Sequence, residues 1–209
     1  MKRFLIALVL SILMLSAAVA EDSPWTLRFH GAIVESSVEQ SATAATGGVS
    51  SRVDVGAGGG IGLGAEYRLS DKIGLEFSTL LAGVAIDTTF AAGGSGLYES
   101  LELSMVPLTL GVPFHFGVGS RTDIYLGPTL SYVSYVDTSY SVSYQSAQSV
   151  VDVDSDTAFG AAVGLDAGFG DGGWAFSTGL RYMKTAAGET DIDPLIVTLG
   201  FAYRFQKKG

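Results

Sequence analysis

The sequence predicts an all-β protein, an eight-stranded antiparallel transmembrane up-and-down β-barrel that follows a cleaved signal peptide. Three observations carry that expectation. Apolar side chains recur at every second residue along eight segments, charges within those segments fall on the opposite face, and long and short connections alternate between them.

The chain opens with two cations, Lys2 and Arg3, then an uncharged run from Phe4 to Leu15, then small residues ending Ala18-Val19-Ala20. This is the layout of a secretory signal. The run is shorter than the roughly 20 apolar residues that a spanning helix needs. Residues 1–20 are therefore expected to be removed, leaving residues 21–209 as a single barrel domain. Loss of Lys2 and Arg3 takes the cations from 12 to 10 against 21 anions and moves the formal charge from −9 to −11. So acidic a chain argues against nucleic acid as a partner, since phosphate binding requires clustered Lys and Arg. It also argues against docking onto an anionic lipid surface. With no cysteine, neither a lipoprotein attachment nor a disulfide framework is available. Mean hydropathy is +0.37, yet the mature chain has no apolar run of helical length, so its apolar residues must be spread by alternation. Abundant glycine (28) with many Ser and Thr suits strands joined by turns.

Each strand shows the two-residue period. In the first, Trp25, Leu27, Phe29 and Ile33 alternate with Thr26, Arg28, His30 and Ala32. The second has Ile61, Leu63, Ala65, Tyr67 and Leu69 against Gly60, Gly62, Gly64, Glu66 and Arg68. After a turn at Ser70-Asp71-Lys72, the third has Ile73, Leu75, Phe77, Thr79 and Leu81. The fourth has Leu108, Leu110, Val112, Phe114 and Phe116 against Thr109, Gly111, Pro113 and His115. The fifth runs Ile124, Leu126, Pro128, Leu130, Tyr132, and the sixth Phe159, Ala161, Val163, Leu165, Ala167, Phe169. Trp174, Phe176, Thr178, Leu180 and Tyr182 make the seventh. Leu195, Val197, Leu199, Phe201, Tyr203 and Phe205 make the last.

An eight-stranded lumen is just wide enough to be filled by side chains. Bulky Trp, Phe, Tyr, Leu and Ile from every strand would overfill it, whereas the Gly, Ala, Ser and Thr of the other face fit. The apolar face is thus expected to point outward into lipid, and the sheet to close, because an unpaired edge does not survive in hydrocarbon. Long connections are expected at about Ser37 to Ser51, Asp87 to Ser100, Asp137 to Asp156 and Lys184 to Asp193. Short ones fall at Ser70 to Lys72, Gly117 to Thr122 and Gly170 to Gly173. That alternation matches extracellular loops and periplasmic turns in the outer membrane of a Gram-negative-type bacterium, with both termini on the periplasmic side. Trp25, Tyr67, Phe116, Phe169, Trp174, Tyr203 and Phe205 lie near the short turns, where an aromatic girdle belongs.

Residues 174–205, WAFSTGLRYMKTAAGETDIDPLIVTLGFAYRF, resemble the terminal hairpin of the outer membrane protein W family, with its Arg-Tyr strand, Asp-Ile-Asp-Pro loop and closing aromatic strand. WTLRFHGAIVES is similar to that family's first strand, IGLGAEYRLSDKIGLEFSTLLAG to its second hairpin, and VPLTLGVPFHF with IYLGPTLSYV to its fourth and fifth strands. A related small eight-stranded barrel, porin-like or opacity-like, fits the same segments. Gln206-Lys207-Lys208-Gly209 after Phe205, the glycine-rich second strand and the Ser-rich stretch after Asp137 depart from the pattern. The resemblance implies channel activity toward hydrophobic compounds.

Sorted by height, the inward positions divide in two. Toward the short turns stand Arg28, His30, Glu66, Arg68, Glu76, His115, Asp166 and Arg204, three anions against three cations besides the histidines. Such a cluster can neutralise itself and close the bottom of the lumen. Toward the far end the same parity places Val34, Leu80, Val84, Ile86, Val133, Met183 and Ile196 inside. Leu101, Leu103 and Met105 join them if no bulge precedes Pro107. An aliphatic mouth over a charged floor suits a small hydrophobic ligand arriving from outside. The alternative is that these strands rise beyond the bilayer, or change parity at a bulge, and pack their own loops.

Three functions are then open: a narrow channel or binding barrel for small hydrophobic molecules, a structural or adhesion barrel acting through its Ser- and Thr-rich loops, and a lipid-modifying enzyme. The last is disfavoured because His30 and His115 fall at the periplasmic end, away from the outer leaflet. Expected partners are outer-membrane lipids and lipopolysaccharide, small hydrophobic solutes and the outer-membrane assembly machinery; no cofactor and no metal is expected. Gly60-Ile61-Gly62-Leu63-Gly64-Ala65 looks like a dinucleotide fingerprint but opens no helix. Asp152, Asp154 and Asp156 begin like a calcium loop, but Thr157 and Val163 stand where glycine and the bidentate glutamate are required.

Overall fold

The structure, a computed structural model, describes residues 24–38, 49–55, 57–92, 95–118, 121–142, 145–149, 155–187 and 190–205. Within these, only the backbone is described at 36–38, 49–55, 84–92, 95–103, 136–142, 145–149, 185–187 and 190–192. The expected signal segment, residues 1–20, lies outside the described residues.

Among the described residues, eleven strand segments form one antiparallel sheet: β1 (Trp25–Val38), β2 (Val49–Val55), β3 (Gly58–Arg68), β4 (Gly74–Ala92), β5 (Ser95–Gly111), β6 (Phe114–Val118), β7 (Thr122–Val142), β8 (Gln145–Ser149), β9 (Asp156–Gly168), β10 (Trp174–Ala187) and β11 (Thr190–Arg204). They compose eight staves, because β2 and β3, β5 and β6, and β8 and β9 follow one another along the same path around the barrel. The path closes from β11 back to β1, with Phe29 opposite Phe201 and Ile33 opposite Val197. Every backbone edge within the hydrocarbon is thereby paired. The gap between β5 and β6 is local. Val112 and Pro113 interrupt the ladder because proline has no N–H to give, yet Gly111 faces Thr129 and Phe114 faces Leu126 in unbroken register.

Parity sorts the side chains as expected. The outward face carries Ile61 at 72% exposure and Leu199 at 70%, with Phe159, Phe176, Leu126 and Val163 also exposed. Such a wall around the whole circumference is stable only against lipid. At the short-turn end the girdle is built of touching rings. Trp25 meets Tyr67 at 5.1 Å, and Trp174 meets Tyr203 at 5.0 Å. Phe205 meets Tyr203 edge to face and donates its N–H to the Trp25 carbonyl, so the closing residue seals the seam. The turns there are tight. The Ser70 hydroxyl accepts from the Lys72 and Ile73 amides, and Gly170 and Gly173 take the positive φ values (65° and 77°) that other residues resist.

The expected long loops require correction. Strand pairing continues through most of them: Asp87 pairs with Ser100 and Ala92 with Ser95, Val142 pairs with Gln145, and Ala187 pairs with Thr190. A tilted spanning strand needs about 9–11 residues, whereas β4 has 19 and β7 has 21. The barrel wall thus rises well beyond the bilayer as β-hairpins. Above the lipid both faces of a strand lose the apolar solvent on one side, so hydrophobic alternation fades while the backbone ladder persists.

Candidate functional site

The lumen is filled from the short-turn end upward by three layers. The lowest is an ion network around Arg28, which β1 projects inward. Arg28 Nη2 lies 2.8 Å from both Glu66 Oε2 and Asp166 Oδ2, and Nη1 lies 3.3 Å from Glu76 Oε2. Its guanidinium also sits over the Tyr125 ring, 4.5 Å from the centroid. Below it, Glu66 Oε1 is approached by Arg68 Nε at 2.6 Å and His115 Nε2 at 2.8 Å, both outside good hydrogen-bond alignment. His115 Nδ1 reaches Asp123 at 3.1 Å, and Arg68 and Arg204 both bond the same Asp123 carboxylate. On the upper side Arg181 donates to Glu76 Oε1 at 2.7 Å, joined by the Ser78 hydroxyl, while Ser177 donates to Asp166.

Burial makes this arrangement consequential. Glu66 is wholly buried, and Arg28 and Asp166 are 4% and 3% exposed, so each charge depends on its partners for the solvation it has lost. Glycines leave the room. A Cβ on Gly164 would strike the Tyr125 ring, and one on Gly62 would strike the His30 imidazole. A strand rich in glycine on its inward face is what allows long charged side chains to fit the narrow barrel.

The expected cluster is incomplete as read from sequence. Arg28, Glu66, Arg68, Glu76, His115 and Asp166 are brought together, and Arg204, half exposed, joins them at the rim through Asp123. Asp123, Arg181 and Tyr125 were missed, although all three have inward parity. Asp123 sits beside a turn, and Arg181 and Tyr125 hide between apolar neighbours that define the opposite face. With them the described network balances, Arg28, Arg68, Arg181 and Arg204 against Glu66, Glu76, Asp123 and Asp166. His30 faces the lumen but makes no hydrogen bond to a described residue.

The top layer is aliphatic. Val34, Leu80, Met105, Val133, Met183 and Ile196 share one buried cluster with Ala32, Ala82 and Ala158, and Tyr135 packs against it. A register shift between Glu102 and Ser104 precedes Met105, which still points inward. The side chains of Val84, Ile86, Leu101 and Leu103 lie outside the described residues. Val34, Val133 and Met183 have no exposed surface, so the described part of this layer is a solid plug, not the open mouth that an aliphatic lining suggests. Open space lies elsewhere. Between floor and plug is a chamber of about 40 Å³ lined by Arg28, His30, Glu76, Tyr125, Arg181 and Ile196, among others. Beneath the floor a vestibule of about 310 Å³ opens past Thr26, Trp174 and Arg204. Among the described residues no group of acidic or histidine side chains is placed to hold a metal ion.

A closed barrel with a lipid-facing wall and a lumen filled by its own side chains defines a β-barrel membrane protein. Residues 5–205 match the model of the outer membrane protein beta-barrel domain family, and the chain belongs to that family. It is a protein of the Gram-negative-type outer membrane. In structure it is similar to the outer membrane protein OprG from Pseudomonas aeruginosa (TM-score 0.62, 16% identity, covering 89% of this chain and 97% of that one). It is also similar to the outer membrane protein AlkL in DMPC bilayers (0.56, 18%, 92% and 94%) and to Neisserial surface protein A (0.53, 14%, 88% and 98%). At these identities the likeness establishes the fold alone. No curated protein sequence matches the chain.

Proposed function

We propose that the protein is a narrow channel or binding barrel for small hydrophobic molecules, which reach it from the extracellular side. One observation carries this reading: an aliphatic layer, Val34, Leu80, Met105, Val133, Met183 and Ile196, stands directly above a floor of paired charges. Hydrated ions gain nothing from that layer, while an apolar solute exchanges water for it. The floor would then stop or slow onward passage. The test is reconstitution of the refolded protein in lipid bilayers with small alkanes and aromatics. Uptake or binding is expected in the parent and not in Leu80→Arg, provided the variant keeps heat-modifiable migration. Equal behaviour of the two, or no binding by either, ends the reading.

A second reading has its own support, the paired strands that rise beyond the bilayer from β4 to β8. Such walls suit a structural or adhesion barrel that meets lipopolysaccharide or envelope partners. Replacing Asp137 to Asp156 should then abolish partner capture and leave the barrel folded. We read the protein as a non-enzyme. His115 is engaged by two carboxylates at the periplasmic end and His30 lies within the barrel, so neither is placed to activate a hydroxyl at the outer leaflet.

A further inference from the structure

The chamber between floor and plug is chemically lopsided. Its acid is already satisfied: Glu76 Oε1 takes Arg181 and Ser78, and Oε2 takes Arg28. Arg28 in turn is engaged by Glu66, Glu76 and Asp166. What remains unspent is donor capacity. Arg181 uses Nη2 on Glu76, but its buried Nε has no partner, and His30 beside it makes no hydrogen bond to a described residue. A buried donor without an acceptor costs free energy that an arriving anion would recover. The roof of the same chamber is Leu80 and Ile196, the underside of the aliphatic plug.

We propose that this chamber is a head-group site for a monocarboxylate amphiphile, a short- to medium-chain fatty acid, whose carboxylate accepts from Arg181 and His30 and whose chain extends upward among Leu80, Ile196 and Met183. The inference rests on the hydrophobic-ligand reading above and deepens it by naming the ligand's polar end. The volume agrees. A water needs about 10–15 Å³ by this measure, so about 40 Å³ holds roughly three waters or one carboxylate. A dicarboxylate or a phosphate monoester would bring a second negative charge beside Glu76, which lines the same chamber. Met183, unbranched and flexible, is the side chain best suited to yield to the incoming chain.

The experiment uses the full mature barrel in zwitterionic nanodiscs, with octanoate labelled at its carboxyl carbon and octan-1-ol as the neutral match, empty nanodiscs correcting for lipid partition. Octanoate should bind about tenfold tighter than octanol. Arg181→Gln should lower octanoate binding to about the level of octanol. His30→Gln, outside the ion network and so free of its folding role, should reduce the preference in the same direction. Equal binding of the two ligands by the parent overturns the head-group site and leaves the hydrophobic reading standing. A preference for octanoate that survives both substitutions overturns it as well. Absence of binding by either ligand overturns both readings.

Discussion

The floor and the plug occupy one narrow lumen and fill it by opposite means. In the floor every buried charge is held by others, and Arg28 alone serves three carboxylates. Among the described residues the plug carries no charge, and aliphatic side chains from β1, β4, β5, β7, β9, β10 and β11 interlock with little or no exposed surface. The floor gains its stability from complementarity and the plug from volume. Loss of one member should therefore cost most in the floor, where the partners left behind cannot be resolvated, and less in the plug, where neighbours can partly collapse.

Replacing Arg28 by Met is the strongest test of that contrast. Glu66, Glu76 and Asp166 would face one another in a nearly dry site, and a loss of about 3–5 kcal/mol is expected from an orphaned buried charge. Urea-induced unfolding in lipid vesicles, followed by tryptophan fluorescence, would measure it; a loss below that of the plug variant would break the comparison. In the plug, Met183→Ala should cost about 2–4 kcal/mol through lost contact and the cavity left behind. The same titration reads it, and added hydrophobic ligand should restore part of the loss. The smallest effect is expected at the mouth. Arg204 is about half exposed, so its bond to Asp123 is screened and Arg204→Gln should cost less than about 1 kcal/mol. A cost near that of Arg28→Met would show that the network extends, undiminished, to the vestibule.

The eight staves, the outward apolar wall and the inward placement of Arg28, Glu66, Glu76 and Asp166 were all legible from alternation, because a strand's side chains change face at every residue and lipid tolerates only one kind. Arg181 and Tyr125 obey the same rule but were masked by reading each strand from its apolar face. Asp123 was lost to the turn beside it. The upper staves were illegible for a different reason: beyond the bilayer the two faces of a strand no longer meet contrasting solvents, so β4 and β5 pair to Ala92 and Ser95 without a hydrophobic period to announce it.

By itself the amino-acid order determined which face each residue takes and that the sheet must close, since parity is local and an open edge in hydrocarbon is prohibitive. Only the tertiary structure decided which inward residues meet. Whether Arg28 reaches Asp166, 138 positions away, and whether the aliphatic layer is a mouth or a plug, depend on how the staves are staggered around the closed barrel. That stagger is a property of the whole ring, and no single strand encodes it.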